Sequence, residues 1–265
     1  ASSSPSMSSM EDARKSKSLV ELKKEQETPI PLSIINLRIE RWKKKLSPIS
    51  EPLRFAISDA LSKKQQILLV VCRSGMSAVS ICSDCRHILR CRTCGRSLDY
   101  QKSGEYQCPS CRSSAGTTPR CASCGSIVFK QIGFGSERVE RDLKRNFPGA
   151  KTVRYDSKSA KGKLTLEELE SFRTGNRDIL ITTEKGVFGW DLPKLSLVAI
   201  MDADSALGAP RWDADERAFR LFLSAVGRAR RQKDNSQLAV IQTFHPENSV
   251  FEYLSKGELR NFFSS

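Results

Sequence analysis

The chain has 265 residues, 38% of them hydrophobic, and its 44 Lys and Arg against 30 Asp and Glu give a formal net charge of +14. This length allows one large domain or two small ones. The longest apolar run of note, residues 67–72, is too short to cross a bilayer, and the Ser-rich, then charged N-terminus lacks the apolar stretch of a secretion signal. We therefore expect a soluble, cytoplasmic protein with no membrane partner. The charge favours either a polyanionic partner, such as nucleic acid, or a basic enzyme.

Eight of the nine cysteines form four Cys-x-x-Cys pairs, which supply the ligands of two tetrahedral, structural zinc sites. Disulfides, an iron–sulfur cluster and a redox dithiol are the alternatives. A reducing cytosol disfavours the first, the regular spacing disfavours the second, and the number of pairs disfavours the third. The pairs are Cys82/Cys85, Cys91/Cys94, Cys108/Cys111 and Cys121/Cys124.

The spacing of the pairs leaves two ways to share the zincs. Thirteen residues separate Cys94 from Cys108, enough for a small hairpin through residues 98–100 and 105–107. This favours a nested arrangement, with an inner site (Cys91, Cys94, Cys108, Cys111) enclosed by an outer site (Cys82, Cys85, Cys121, Cys124), over two sequential sites. The residues between the pairs are mostly short or polar, so we expect residues 81–126, the cysteine module, to have almost no hydrophobic core and to be folded by its metals. Cys72 lies in an apolar run and is predicted to be a buried core thiol.

Around the cysteine module, predicted strands alternate with predicted helices. The strands are residues 67–71, 127–132, 151–155, 178–182, 195–201 and 237–242, and the helices are residues 50–62, 137–146, 164–173, 212–228 and 246–255. The strands are apolar on both faces, a pattern typical of a parallel sheet covered by helices on each side. The sequence therefore predicts an α/β domain with the cysteine module as an insertion.

In such a sheet, functional residues gather at the carboxyl ends of the strands. The stretches there, together with the cysteine module, resemble the second motor lobe of superfamily 2 helicases, and more narrowly the bacterial replication-restart helicases of the primosomal protein N′ family. The resemblance covers nearly the whole chain and rests on residues 135–140, 178–181, 197–205, 216–221 and 226–229. It implies a RecA-like lobe with nested cysteine pairing. It also implies a 3′–5′ ATP-dependent DNA helicase acting in replication restart and primosome assembly at stalled forks.

The resemblance also implies a domain plan. Residues 2–7 resemble the family's motif III, so we expect a fragment that runs from that motif to the start of a C-terminal domain. The expected parts are the end of the first motor lobe and a linker (1–29), the first part of the second lobe (30–80), the two-zinc module (81–126), the remainder of the second lobe (127–250) and the start of the C-terminal domain (251–265).

The nucleotide site is expected to be incomplete. The sequence has no Gly-x-x-x-x-Gly-Lys-Ser/Thr stretch and no acidic Mg²⁺ box after a strand, so ATP and Mg²⁺ should bind, and ATP be hydrolysed, only with a first lobe. Arg228 and Arg231 share one helical face and resemble an arginine finger pair, although they equally suit a basic helix end. By resemblance, Gly189 and Asp191 contact the nucleotide. The departures from the family pattern are Ser224, Arg230 and Phe188.

DNA contacts are predicted in the strand-end loops, where small residues allow phosphates to approach backbone N–H groups. Each loop also suits an ordinary βα turn. The residues are Arg73, Gly135, Ser136, Glu137 and Thr183. Asp202 and Asp204 have no third acidic residue nearby, so we expect turn and interface roles rather than a metal site. The partners implied by resemblance are forked or single-stranded DNA, other primosome proteins and single-strand-binding protein, in a nucleoid-associated setting.

Two other functions fit part of the sequence. A zinc-bearing DNA-binding scaffold with a degenerate, non-hydrolysing motor would suit the missing phosphate loop and the altered arginine motif. A zinc-ribbon accessory protein of transcription or translation would explain the cysteines but not the α/β pattern.

Overall fold

The computed structural model describes most of the chain. It covers Ser9, residues 12–13 and 15–16, and residues 31–42, 47–72, 78–85, 87–95, 97–101, 103–108, 111–133, 135–156, 164–187, 192, 194–207, 213–229 and 238–256. The strands are β1 (Leu32–Asn36), β2 (Gln66–Val70), β3 (Ala78–Cys82), β4 (Asp99–Tyr100), β5 (Tyr106–Gln107), β6 (Phe129–Gly133), β7 (Thr152–Tyr155), β8 (Ile179–Thr182), β9 (Leu195–Ile200) and β10 (Leu238–Thr243). The α-helices are α1 (Leu37–Trp42), α2 (Glu51–Ser62), α3 (Ser136–Asn146), α4 (Leu164–Arg173), α5 (Ala203–Leu207), α6 (Ala214–Ala229) and α7 (Ser249–Lys256).

Six strands form one sheet in the order β1-β10-β9-β2-β8-β7. Every neighbouring pair is parallel, and in the centre Ile67 of β2 lies beside Ile179 of β8 and Leu197 of β9. The predicted parallel sheet is therefore confirmed. Because all six strands run the same way, their carboxyl ends meet at one edge of the sheet, which we call the strand-end edge.

Helices cover both faces of this sheet. Side chains alternate along β2, so that Ile67 and Leu69 join one buried cluster while Leu68 and Val70 join another. The first cluster includes Leu53 and Ile57 of α2 and Val139 and Leu143 of α3. The second includes Phe172 of α4, Phe219 and Phe222 of α6, and Phe251 of α7. With both faces buried, the strands need the near-continuous apolar runs seen in the sequence.

Three strands depart from the sequence prediction. The strand β3 was not predicted. The edge strand β1 was not predicted; it pairs with β10, Leu32 lying beside Ala239. The strand predicted at residues 127–132 exists as β6, but its place in the parallel sheet is wrong, because it pairs antiparallel with β3 in a separate two-stranded ribbon. The ribbon flanks the cysteine module, and a chain that leaves and returns at one place produces antiparallel strands.

The remaining predictions concern single features. Cys72 is half-buried and packs against the core rather than lying within it, so the prediction of a buried core thiol is wrong. The hairpin predicted between Cys94 and Cys108 is present as β4 and β5. Among the described residues, no helix has the length and apolarity needed to cross a membrane.

Candidate metal centres and strand-end site

The cysteine module is built from four similar turns. In each Cys-x-x-Cys pair the first cysteine is buried and the second is exposed. In three of the turns, the residue after the second cysteine donates its backbone N–H to the carbonyl of the first: Gly95 to Cys91 at 2.9 Å, Arg112 to Cys108 at 3.0 Å, and Gly125 to Cys121 at 2.9 Å. These three residues have left-handed φ angles of 71°, 61° and 75°. The turns aim both thiols of a pair at one point.

The turns meet in two groups of four. In each group, all four Sγ atoms lie within 4.8 Å of one another, and the groups are Cys82, Cys85, Cys121 and Cys124, and Cys91, Cys94, Cys108 and Cys111. This is the nested arrangement. The nearest Sγ–Sγ distances run from 3.4 to 3.5 Å. A tetrahedral cation with metal–sulfur bonds of about 2.3 Å separates its sulfurs by about 3.8 Å. Each group could therefore hold a metal ion after a small relaxation.

The thiols of the outer group influence one another's ionisation. Burial opposes ionisation of Cys85, but hydrogen bonds from the backbone N–H of His87 and from neighbouring thiols outweigh it and lower the pKa of that thiol to about 7. For Cys124, a hydrogen bond from the Ser126 backbone lowers the pKa of the thiol. The combined effect of Cys85, burial and Cys82 is larger and opposite, and it raises this pKa to about 12. The two pKa values move in opposite directions, and a positive ion at the centre of the group would favour the thiolate form of its ligands.

The inner group has a hydroxyl that supports two of its thiols. Ser113 Oγ lies 3.0 Å from the Sγ atoms of both Cys91 and Cys111. Burial raises the pKa of Cys91, but hydrogen bonds from the Ser113 hydroxyl and from the N–H groups of Cys94 and Thr93 lower it to about 5. Such a partner orients a metal ligand and favours the thiolate.

The module also has a small apolar cluster, which corrects the expectation of almost no core. Leu89, Leu98 and Tyr106 are buried together with Cys91 and Cys108, and Phe129 packs against them. The Tyr106 ring lies 5.0 Å from that of Tyr100 and 5.7 Å, edge-on, from that of Phe129. Tyr100 and Tyr106, in the short strands β4 and β5, could have indicated this cluster from the sequence. The signal is weak, because few apolar residues surround them in the sequence.

A cleft of about 470 Å³ runs between the two cysteine groups. Its lining includes the apolar residues Leu89 and Phe129 and the basic residues Arg90, Arg92 and Arg120. No acidic side chain is among the described residues that line it. The module therefore presents a basic, partly apolar groove.

Several predicted DNA-contact residues lie together at the strand-end edge. Gly135 caps α3, and Thr183 follows β8 and precedes a 3-10 turn, Glu184–Gly186. The Ser136 hydroxyl is buried and hydrogen-bonded to Asp156, and Glu137 forms an ion pair with Arg154 at 3.4 Å. Both side chains are thus engaged within the protein. The start of α3 is also a helix N-terminus, a feature that in general favours anions.

The predicted nucleotide-side residues are only partly described. Arg228 lies in the last turn of α6, and its Nε donates to the carbonyl oxygen of Val187 at 2.8 Å. Ser224 is half-buried on the same helix. Arg73, Phe188, Gly189, Asp191, Arg230 and Arg231 lie outside the described residues.

The two acidic residues after β9 accept hydrogen bonds from nearby backbone N–H and hydroxyl groups rather than forming a cation site. Asp202 accepts hydrogen bonds from the backbone N–H of Ser205, at 3.2 Å, and from the Ser205 hydroxyl. Asp202 thereby caps α5. Asp204 accepts from the Thr243 hydroxyl at 3.0 Å and from the Phe244 N–H at 2.8 Å. The two donors come from the end of β10, so the predicted turn and interface roles agree with the geometry. No sequence signal pointed to Phe244 as the partner.

Comparison with known proteins identifies the class of the sheet domain. Residues 126–233 match the profile of the helicase conserved C-terminal domain, and residues 88–114 match a domain of unknown function, DUF8512. Together with the parallel, helix-flanked sheet, this match defines a RecA-like helicase C-terminal lobe that carries an inserted eight-cysteine module.

The curated relatives narrow the class to one family. Replication restart protein PriA of Chlamydia pneumoniae is 31% identical over 241 residues, covering 89% of this chain and 32% of that protein. PriA of Borreliella burgdorferi is 30% identical, covering 87% and 35%, and PriA of Haemophilus influenzae is 33% identical, covering 78% and 28%. The chain belongs to the PriA family of replication restart proteins and spans about a third of the length of these relatives. Among solved structures, Saccharomyces cerevisiae Dbp5 bound to RNA and ADP BeF3 is 13% identical with a TM-score of 0.47, covering 98% of this chain and 48% of that one.

Proposed function

We propose that this chain is the second motor lobe of an ATP-dependent 3′–5′ DNA helicase that acts in replication restart and primosome assembly at stalled forks. The observation that carries the proposal is the similarity to PriA proteins, which extends over 89% of the chain and so includes both the sheet and the cysteine module. Its partners are then forked or single-stranded DNA, other primosome proteins and single-strand-binding protein. Its site of action is the bacterial cytoplasm, at the nucleoid.

In this proposal, the lobe supplies the second half of an ATP site that a first lobe completes. Arg228 and Arg231 reach the γ-phosphate, where an arginine neutralises the charge that develops during phosphoryl transfer. Gly189 and Asp191 contact the nucleotide. The hydrogen bond from Arg228, at the end of α6, to Val187 supports this role, because Val187 precedes Gly189 and Asp191 by two and four positions in the sequence.

DNA lies along the strand-end edge in this proposal. Its phosphates meet the backbone N–H groups of Gly135, Ser136, Glu137 and Thr183, and the Arg73 side chain, which together read charge and shape rather than base sequence. The net charge of +14 supports a polyanionic partner.

The two metals are zinc in this proposal, and their role is structural. Four cysteine thiolates in a closed tetrahedron suit zinc, with no position open for a reactive water. The outer ion is held by Cys82, Cys85, Cys121 and Cys124, and the inner ion by Cys91, Cys94, Cys108 and Cys111. Each ion would offset two of the four negative charges of its thiolates and tie two of the turns together.

The proposal is tested with the polypeptide as its gene encodes it. Purified protein is assayed for DNA-stimulated ATP hydrolysis and for unwinding of duplexes that carry either a 3′ or a 5′ single-stranded tail. We expect hydrolysis that requires DNA, and unwinding of forks consistent with 3′–5′ movement. DNA binding without hydrolysis would overturn the motor and favour the second candidate.

That second candidate is a zinc-bearing DNA-binding scaffold with a degenerate motor. It is favoured by Ser224, Arg230 and Phe188, which depart from the family pattern next to the proposed nucleotide contacts. Restoring the family residues distinguishes the two. If replacing Arg230 by Gly, Ser224 by Gln and Phe188 by Lys creates hydrolysis that the parent lacks, the parent is a scaffold.

A further inference from the structure

The cysteine module touches the sheet domain through a small apolar cluster. Besides the β3–β6 ribbon that connects them, the two parts share a buried cluster of four residues: Leu37, Ile81, Ile88 and Phe244. Leu37 and Phe244 belong to the sheet domain, while Ile81 and Ile88 flank the first cysteine turn. Phe244, which follows β10, is 3% exposed, so its ring is almost entirely covered at this junction.

This junction lies directly against the outer cysteine group. Ile81 precedes the ligand Cys82 and forms an antiparallel bridge with Ile88, and the Cys82 N–H donates to the His87 carbonyl at 2.9 Å. Beside the cluster, a cleft of about 240 Å³ separates Arg38 and His245 of the sheet domain from Cys85 and other residues of the module. Apolar contact across the junction is therefore concentrated at Phe244 and its few neighbours.

The position of Phe244 is set from the other side by Asp204. The Asp204 carboxylate accepts the Phe244 N–H at 2.8 Å and the Thr243 hydroxyl at 3.0 Å, and the same hydroxyl oxygen accepts the His245 N–H at 3.0 Å. The last residue of β10 and the residue after it are thus fixed directly by one acid that follows β9, and His245 is fixed through Thr243. A backbone N–H bonded to a carboxylate is a strong, directional contact, so it constrains where the Phe244 ring can lie.

We propose that Asp204 is a positioning residue that docks the cysteine module on the sheet domain. Its carboxylate holds the Phe244 backbone, and the Phe244 ring holds Ile81 and Ile88 at the base of the outer metal site. The orientation of the module is thereby tied to the end of β9 at the strand-end edge. Asp202, by contrast, caps α5. This docking role is independent of the proposed helicase activity.

Hydrogen exchange of the zinc-loaded protein tests the proposal. The amides of Cys82 and Leu89, which donate to His87 and to Ser80, report on the base of the module, and the Cys108 amide, which donates to Ser113, reports on the inner site. In Phe244→Ala, we expect exchange at Cys82 and Leu89 to accelerate about tenfold or more, because their protection depends on local opening. Exchange at Cys108 and the metal content should not change.

Two variants separate docking from general stability. Asp204→Ala should match Phe244→Ala, whereas Asp204→Asn retains an oxygen to accept the Phe244 N–H and should show no acceleration of exchange at Cys82 and Leu89. Phe251→Ala is the matched control, because Phe251 is 1% exposed in the core on α7 and is not part of the junction cluster. If Phe244→Ala does not fold, Phe244→Leu gives a smaller truncation, with the same ordering of effects expected.

The proposal is overturned by any of three results. These are unchanged exchange at Cys82 and Leu89 in the Phe244 variant, equal acceleration in the Phe251→Ala control, and equal damage from the Asn and Ala substitutions of Asp204. Loss of a metal ion in the Phe244 variant would also count against it, since the effect would then be on ligation. A fluorophore pair at Glu105 and Lys63, introduced without cysteine chemistry, should show a broader distance distribution in Asp204→Ala and the parental one in Asp204→Asn.

Discussion

The Nε atom of Arg228 donates to the carbonyl oxygen of Val187 at 2.8 Å, joining the end of α6 to the turn that follows β8. These two residues are 41 positions apart in sequence. The contact fixes the direction of the guanidinium group, so that a phosphate would be met by its terminal nitrogens. A carbonyl acceptor also explains why a planar guanidinium, with several fixed donors, suits this position better than an ammonium group.

Substitution of Arg228 therefore tests the arginine finger. In the polypeptide as its gene encodes it, Arg228→Ala should reduce DNA-stimulated ATP turnover by a factor of about 10³ to 10⁵, the range seen for arginine fingers. Arg228→Lys should also be strongly impaired, because it loses the Nε donor and the planar group. Arg220→Ala on the same helix is the control and should retain activity. Turnover of Arg228→Ala within about twofold of the parent would show that the assignment is wrong.

Several parts of this structure could be predicted because their cause is local. A Cys-x-x-Cys pair aims two thiols at one ion by itself, and apolar runs such as that of β2 record burial on both faces of a sheet. The short edge strand β1 has only one neighbour in the sheet and left no strong pattern. The antiparallel pairing of β6 and the contact between Asp204 and Phe244 depend on residues far apart in sequence, and periodicity does not report which distant segments meet.

Removal of one cysteine should separate the two metal sites. We expect two zinc ions per chain by elemental analysis, and one in Cys91→Ser, because the inner group then lacks a ligand while the outer group keeps its four. Cys72→Ser, which changes the cysteine outside both groups, is the control and should retain two ions. A parent that contains one ion or none would contradict the assignment of the eight cysteines.

The backbone of the cysteine turns gives a prediction about affinity. Arg112 has a φ of 61° at the position where Gly95 and Gly125 stand in two other turns. A left-handed conformation costs a non-glycine residue about 1–2 kcal/mol. Replacing that residue by glycine also makes the unfolded chain more flexible, which offsets about 0.4–1 kcal/mol of the gain. Arg112→Gly should therefore stabilise the inner site by up to about 1.5 kcal/mol, or about tenfold in zinc affinity measured by chelator competition.

The reverse change supplies the comparison. Gly125→Ala should weaken the outer site by a similar factor, because the added methyl group meets nothing within 4 Å and only the backbone is strained. Gly149→Ala also has free space and no positive φ, so it should leave both sites unchanged. Weaker zinc binding by Arg112→Gly would mean that the Arg112 side chain contributes more than its backbone costs.

The charge of Asp204 gives a prediction about stability and pH. Burial, and then the charge of Asp202, raise the pKa of the Asp204 carboxyl above its ordinary value, outweighing hydrogen bonds from Phe244 and Thr243 and the nearby His245. As pH rises, this carboxyl loses its proton in the unfolded chain before it does so in the folded protein. The free energy of unfolding therefore falls between the unfolded and the folded pKa, and the whole loss is present above the folded pKa. Asp204→Asn should therefore be more stable than the parent at pH 7, with a difference that shrinks as pH falls below the pKa of the carboxyl. Urea unfolding of both proteins at each pH checks this, since metal loss in acid affects them equally.

Glu252→Gln should show the opposite sign, because Lys256 lowers the pKa of that carboxyl. An Asn variant less stable than the parent at pH 7 would mean that the hydrogen bonds to ionised Asp204 outweigh the cost of burying its charge.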